Sequence, residues 1–210
     1  MAFSEIVTKA SEVQEIKRPD TAGYKDIKPE NGMNKKEAKE HWNKEFAEKT
    51  YVDDNGKEYR TGNELHPNTT YEVNGYTYKT DDMGRIISAE GKLQVQDHDD
   101  RKTITDSREV IGHGEMKATD DRAHLFSDRV NGKEDLSNIV PMDRNLNRGD
   151  YKKMENTLVD AVNAGADVRM KVEPVYDKNN DSYRPDSFRV SYSIDGEKEV
   201  IVFKNGDGGK

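Results

Sequence analysis

The sequence from Asp120 to Glu155, DDRAHLFSDRVNGKEDLSNIVPMDRNLNRGDYKKME, decides the fold. Arg122 stands two residues before His124, and in an extended segment those two side chains point to the same face. Asn138-Ile139-Val140-Pro141 is a short apolar run that proline stops, which predicts a strand end. Asn147-Arg148-Gly149-Asp150-Tyr151 then opens a helical pattern that continues through Met154, Leu158 and Val162.

These pieces resemble the DNA/RNA non-specific endonuclease family of the ββα-metal superfamily. That family carries an Asp-Arg-Gly-His element, then Asn-x-x-Pro, then Leu-Asn-x-Gly before a helix with an acidic residue. The matching positions are 121–124, 138–141 and 146–149, and Glu155 lies on the helix. The resemblance covers roughly residues 69–203 and is closest to C-terminal nuclease domains of secreted toxins of Gram-positive bacteria.

One position departs from the family pattern, because Ala123 stands where the family has glycine. If that position required a positive φ, alanine would be strained there. We expect such strain to adjust the loop without abolishing the site.

The resemblance implies a role for each matching residue. His124 would be the general base, since an imidazole titrates near neutral pH. Asn147 would bind one Mg²⁺ or Mn²⁺ ion, and Glu155, two helical turns later, would hold a water of that ion. Arg122 would bind the phosphate, and Asn138 would orient the attacking water or His124.

Each of these residues also has a purely structural interpretation. Asn147 could cap the following helix, Glu155 could be a solvated helix residue, and Asn138 could form a turn. A lone histidine such as His124 is often a structural residue.

Further basic residues crowd the motif and are candidates to bind substrate phosphates: Arg144, Arg148 and Lys152. The family also supplies an arginine from upstream of the histidine. The sequence leaves Arg85, Arg101 and Arg108 open as candidates for that position.

Composition limits the class of protein. Of 210 residues, 31% are hydrophobic and 36% are charged, so the core is modest. Cysteine is absent, which excludes disulfides and thiolate metal sites. The net charge of −8 argues against a generally basic nucleic-acid-binding surface, although a cation and a local basic strip can meet phosphates on an acidic protein. No signal peptide or membrane-spanning stretch is visible.

Periodicity along the chain predicts an α+β fold with a central antiparallel β-sheet, and the family resemblance implies a ββα-metal catalytic element. Strands are expected over 70–73 and 76–80 around Asn74-Gly75, over 85–93 and 168–176, and in a hairpin of 187–194 and 200–203. A helix is expected over roughly 148–164, ended by Gly165.

The sequence divides into a charged N-terminal extension, 1–50, and a nuclease domain, 51–210, with a catalytic core at 118–165. The extension contains a linker at 17–34 and a helix at 35–48, in which Ala38, Trp42 and Phe46 form an apolar stripe.

From the resemblance we therefore predict a Mg²⁺-dependent endonuclease that cuts both DNA and RNA with weak sequence preference. The resemblance implies a bacterial toxin exported without a visible signal peptide, and an immunity protein as its inhibitor. The alternatives are a non-catalytic binding module on a degenerate nuclease fold and a nuclease of nutrition or DNA uptake.

Overall fold

A computed structural model of the protein describes Glu37, Lys44 and residues 47–96, 103–179 and 181–206. The chain divides into two compact units, Met1–Lys44 and Glu45–Lys210. The predicted stripe of Ala38, Trp42 and Phe46 and the predicted linker lie outside the described residues.

A six-stranded antiparallel sheet forms the centre of the second unit, as the alternating sequence predicts. Its strand order is β11-β10-β9-β6-β5-β4. The strands are β4 (Thr70–Val73), β5 (Tyr76–Thr80), β6 (Ile86–Lys92), β9 (Val168–Val175), β10 (Ser187–Ile194) and β11 (Glu197–Lys204). All the strands predicted over 70–93 and 168–203 are therefore confirmed, with ends shifted by at most three residues.

A small three-stranded sheet precedes the large one and was not predicted. It consists of β1 (Thr50–Val52), β2 (Glu58–Thr61) and β3 (Glu64–Leu65). Its strands have two to four residues, which is too short for a period of two to stand out in the sequence.

A ββα element follows and carries the motif pieces of residues 121–124, 138–141 and 146–149. The strands β7 (Asp120–His124) and β8 (Ile139–Asp143) form an antiparallel pair, and the long helix α3 (Lys152–Asn163) comes after them. Shorter elements are α1 (Arg108–Ile111), a 3₁₀ turn at Asp128–Val130 and α2 (Arg144–Leu146). The α+β class, the antiparallel sheet and the ββα element are thus as predicted. No helix in the described ranges is long and apolar enough to cross a membrane.

Two local predictions need correction. Pro141 does not end its strand, because β8 continues to Asp143. A two-stranded ladder has free edges on both sides, so proline can occupy a position whose N–H would point outward. The helical run also begins before Asn147, with Asp143 as the N-cap of α2, and a π-helical turn (Asn147–Tyr151) joins α2 to α3. Gly165 follows the C-cap of α3 with a φ of +91°, so glycine ends this helix as predicted.

Tyrosines on the sheet join it to the ββα element. Tyr76 stacks on Phe126 with ring centroids 4.0 Å apart. Tyr71 and Tyr78 are also buried, and they donate hydrogen bonds to Ser137 O (2.9 Å) and Asn138 Oδ1 (3.0 Å). From the other side, Tyr151 donates to Leu125 O (2.9 Å). Each ring therefore adds apolar area to the core, while the hydroxyls of Tyr71, Tyr78 and Tyr151 bind residues of the loop between β7 and β8.

A buried ion pair links the small sheet to the same loop. The guanidinium of Arg60 on β2 donates two hydrogen bonds to the carboxylate of Asp106, at 2.8 and 3.0 Å. The Arg60 side chain is 0% exposed and that of Asp106 is 3% exposed. Burial acts to lower the pKa of Arg60, but Asp106 outweighs it, so Arg60 stays charged. Asp106 also accepts Leu136 N at 2.7 Å.

We predict that Arg60→Met destabilises the protein by about 3–5 kcal/mol, because Asp106 would remain buried without its cation. Urea unfolding of the full chain measures this. Arg189→Met is the matched control, since its side chain is 54% exposed, and it should change stability by less than about 0.5 kcal/mol. A loss below about 1 kcal/mol in Arg60→Met would show that the pair is not a main constraint.

Candidate active site

A cleft of about 830 Å³ lies where the ββα element meets the loops around it. Five cationic and three anionic side chains line it, so its lining is cationic on balance although the whole chain is acidic. Its residues are Ile104, Arg108, Asp121, Arg122, His124, Ser127, Asp128, Arg129, Asn147, Arg148, Lys152, Glu155 and Asn156.

Strand β7 brings Arg122 and His124 to this cleft together. Arg122 Nη1 donates to the backbone oxygen of Asp106 at 2.6 Å. Asp106 therefore binds Arg60 through its carboxylate and Arg122 through its backbone carbonyl. Ala123, which lies between Arg122 and His124, is buried in the strand and is not among the residues with positive φ. The anticipated strain at Ala123 therefore does not arise.

Asp121 organises the polar groups on the helix side of the cleft. Its carboxylate accepts Asn147 Nδ2 at 3.0 Å and Arg148 Nε and Nη2 at 2.8 and 3.0 Å. Arg144 Nε adds a longer contact of 3.4 Å. Partial burial acts to raise the pKa of Asp121, but the hydrogen bonds from Arg148 and Asn147 outweigh it and lower the pKa below its ordinary value. Asp121 therefore remains a carboxylate at neutral pH.

Asn147 and Glu155 both line the cleft: Asn147 is the first residue of the π-helical turn, and Glu155 lies in the first turn of α3. Because Asn147 Nδ2 donates its hydrogen bond to Asp121, the amide oxygen Oδ1 of Asn147 is available as a ligand for a cation. Asn147 is not the N-cap of either helix, because Asp143 is the N-cap of α2 and Tyr151 is the N-cap of α3. Amide and carboxylate oxygens are the hard ligands that Mg²⁺ prefers. The residues present therefore fit a divalent cation held by few protein groups, and the described part of the chain contains no cluster of three or more His, Cys, Asp or Glu residues for a closed metal site.

Asn138 is not among the residues that line the cleft, and its side chain bonds to residues other than His124. The side chain is fully buried, and it accepts Tyr78 Oη and Phe126 N, both at 3.0 Å. Its Nδ2 donates to Phe126 O at 2.8 Å and Lys133 O at 3.0 Å. These four bonds use the full capacity of the amide, so Asn138 holds the loop between β7 and β8 in shape.

The predicted phosphate-binding cations divide into two groups. Arg122, Arg148 and Lys152 line the cleft, whereas Arg144 does not and instead contacts Asp121 and donates to Ala118 O at 3.2 Å. Arg129 had no specific predicted role, but it lines the cleft and donates to Asn156 Oδ1 at 2.8 Å.

The three upstream arginines have different environments. Arg108 at the start of α1 lines the cleft and donates to Asp120 O and Lys117 O at 2.7 and 2.6 Å. Arg85 is paired with Asp81 at 2.7 Å and lines a different, small cavity. Arg101 lies outside the described residues. Arg108 is therefore the upstream arginine that the described structure favours.

Sequence reasoning missed Glu134 altogether. Its Oε2 lies 2.6 Å from His124 Nε2, and both side chains are 12% exposed. In the sequence Glu134 stands within Gly132-Lys133-Glu134-Asp135, which has the composition of an exposed charged turn. No spacing rule relates it to His124.

Comparison with known proteins adds a family to this geometry. A family model described as DNA/RNA non-specific endonuclease matches residues 67–196. The Type VII secretion system protein EssD of Staphylococcus aureus strain USA300 is 29% identical over 133 residues, which cover 60% of this chain and 21% of EssD. The EssD proteins of strains NCTC 8325 / PS 47 and Newman match equally. The chain thus spans about a fifth of the length of these relatives.

Among solved structures, the Sda1 nuclease with bound zinc ion matches with a TM-score of 0.40 and 25% identity. That match covers 43% of this chain and 40% of Sda1.

We predict that Arg148→Ala raises the pKa of Asp121 toward its ordinary value of 3.8, because the hydrogen bond from Arg148 is the largest influence that lowers it. A ¹³C titration of the carboxyl in the absence of divalent cations measures the shift. Arg144→Ala, which removes only a 3.4 Å contact, is the control and should raise the pKa less.

The lowered pKa also has a consequence for stability. A carboxyl whose pKa is lower in the folded state than in the unfolded state stabilises the fold above the unfolded value, and this stabilisation is lost as the pH falls through the folded value. Equal titrations of Asp121 in the parent and Arg148→Ala proteins would contradict the assigned cause.

Proposed function

The chain belongs to the DNA/RNA non-specific endonuclease family, and from this premise we propose that it hydrolyses phosphodiester bonds of both DNA and RNA with His124 as general base and one divalent cation at Asn147. The observation that carries the proposal is the shared cleft: Arg122, His124, Asn147 and Glu155 come from a strand and a helix and line one cavity. Membership of the family makes the domain a metal-dependent hydrolytic nuclease.

The proposed reaction begins with a water in the cleft. His124 accepts a proton from this water as its oxygen forms a bond to phosphorus, and the bond from phosphorus to the leaving oxygen breaks. An imidazole suits this task because its neutral form is available near pH 7. The position of His124 beside Arg122 on β7 supports the assignment, since base and phosphate-binding cation then face the same substrate group.

The proposed cation ligand is Asn147 Oδ1, with Glu155 orienting a water of the ion. A bound divalent cation neutralises charge that develops on the phosphate and helps the leaving oxygen. A neutral amide ligand suits this chemistry because it leaves the positive charge of the ion available to the substrate. Asp121 supports the role by holding Asn147 Nδ2 at 3.0 Å. Mg²⁺ is the proposed ion and Mn²⁺ the alternative.

Arginines and lysines of the cleft are proposed to bind the phosphate backbone. Arg122 lies next to the base, and Arg148 and Lys152 extend the cationic lining along the helix. Arg108 and Arg129 add two more cations that sequence reasoning had left open or unassigned. Contacts of this kind read charge and not base identity, which agrees with weak sequence preference.

We place this nuclease in the setting of an exported bacterial toxin. The similarity to EssD, named as a type VII secretion system protein, supports export. A producing cell would need an immunity protein, and the cationic cleft would suit an inhibitor with an acidic face. Co-purification with the product of the neighbouring gene, with affinity measured at low and high salt, tests this; salt-independent affinity would place the inhibitor elsewhere.

We predict that His124→Ala lowers cleavage of supercoiled plasmid and of RNA by about 10²–10⁴-fold, because the proton acceptor is lost. The assay compares initial rates at saturating Mg²⁺, and thermal melting confirms the fold. His66→Ala is the control, since His66 is bonded to Thr61 at 2.8 Å and does not line the cleft. A His124→Ala rate above about a tenth of the parent rate would remove His124 from the mechanism.

We further predict that EDTA abolishes cleavage and that Asn147→Ala raises the Mg²⁺ concentration for half-maximal activity by roughly tenfold or more. The reason is the loss of the proposed ligand oxygen. Asn179→Ala removes an amide from an exposed loop and serves as the control. An unchanged Mg²⁺ dependence in Asn147→Ala would mean that another residue binds the ion. Cleavage that persists in EDTA would reject the metal mechanism. The absence of cleavage with every divalent cation tested would favour a non-catalytic binding module.

A further inference from the structure

We propose that Glu134 is a positioning residue for His124: its carboxylate holds the imidazole through Nε2 and thereby leaves Nδ1 as the basic nitrogen. The inference deepens the proposed function and rests on His124 as general base. Its geometric basis is the 2.6 Å distance from Glu134 Oε2 to His124 Nε2, the shortest hydrogen bond that either side chain makes among the described residues.

The two nitrogens of a neutral imidazole have opposite roles. One carries a hydrogen and donates, while the other carries a lone pair and accepts. A carboxylate only accepts, so Glu134 selects the tautomer with hydrogen on Nε2. The lone pair then lies on Nδ1, which can take a proton from water. A bond between an ionised acceptor and this N–H is also stronger than a neutral one and grows stronger when the ring becomes positive.

The loop holds Glu134 rigidly in place for this task. Its backbone oxygen accepts Thr105 N at 2.7 Å and Thr105 Oγ1 at 3.0 Å. One residue earlier, Lys133 O accepts Asn138 Nδ2, and two residues later, Leu136 N donates to Asp106. Bonds therefore fix the backbone on both sides of Glu134. A carboxylate carried by a backbone fixed in this way can orient the imidazole ring with little further loss of side-chain entropy.

Stability alone gives a poor reason for a carboxylate here. Glu134 is 9% exposed, and its Oε1 has no hydrogen-bond partner among the described residues. A buried charged group with an unsatisfied oxygen is costly, and a well-packed apolar side chain of similar size would often be at least as stable. The position is therefore better explained by the histidine that it contacts than by the packing of the loop.

The first test reads the tautomer directly. We expect ¹⁵N spectra of the His124 ring, recorded on the full chain with EDTA at a pH where the ring is neutral, to show hydrogen on Nε2 and none on Nδ1. Glu134→Leu removes the acceptor and should give a mixture of tautomers. Glu197→Gln removes a charge from an exposed site at the start of β11 and should leave the spectrum unchanged. A parent protein with hydrogen on Nδ1, or an unaltered tautomer in Glu134→Leu, would overturn the proposal.

The second test measures cleavage. Glu134→Gln and Glu134→Leu should lower kcat by roughly 10–100-fold with little change in KM, the range found when a carboxylate that orients a functional histidine is lost. Glu134→Gln should retain more activity than Glu134→Leu, because its amide oxygen can still accept the Nε2 hydrogen. If Glu134→Leu does not fold, Glu134→Gln carries the test, and equal kcat in Glu134→Gln and the parent would contradict the proposal.

A double-mutant comparison separates positioning from general support of the fold. In a His124→Ala background, Glu134→Gln should cause no further loss of kcat, since Glu134 acts through the ring that is absent. A repeated loss would mean a structural role and reject the proposal. If His124→Ala itself cleaves like the parent, the general-base assignment fails, while the ¹⁵N spectra still decide whether Glu134 fixes the ring.

Discussion

The buried pair of Arg60 and Asp106 is the constraint on which the rest of the site depends. Both charges are out of solvent, and separating them would remove from Arg60 the carboxylate that most strongly stabilises its charge in a medium of low dielectric. Asp106 in turn accepts Leu136 N through its carboxylate and Arg122 through its carbonyl. One ion pair thus connects a strand remote in sequence to Arg122 and to the loop that carries Glu134.

The tyrosines of the large sheet act on the same loop from the opposite side. Tyr71 and Tyr78 reach Ser137 and Asn138 with their hydroxyls, and Tyr76 reaches Val130 O at 2.5 Å. Their rings form the apolar core, so the packing of the sheet and the shape of the loop cannot change independently. Hydrogen bonds from the sheet therefore hold the polar loop between β7 and β8, which carries Glu134 beside His124.

Charge is distributed unevenly between the whole molecule and its cleft. The chain carries a net charge of −8, yet five cations and three anions line the cleft. Asp121 is central to this balance, because it anchors Arg148 and Asn147 while its own charge is offset by the arginines around it. An acidic protein can therefore still offer phosphate a local cationic surface, and the acidic remainder limits non-specific association with nucleic acid elsewhere.

The sequence by itself determined the strands and the helix in which apolar residues recur at a regular period, and the motif that identifies the family. Alternation predicted the six strands of the large sheet, a helical period predicted α3, and the pieces around His124 and Asn147 identified the residues that line the cleft. The tertiary structure alone decided which groups touch. It bonds the Asn138 side chain to residues other than His124 and places Arg144 outside the lining of the cleft. It favours Arg108 as the upstream arginine, and it pairs Glu134 with His124 and Arg60 with Asp106. The physical reason is that period and turn chemistry act over a few residues, whereas a buried charge or amide takes its partner from wherever the folded chain places one.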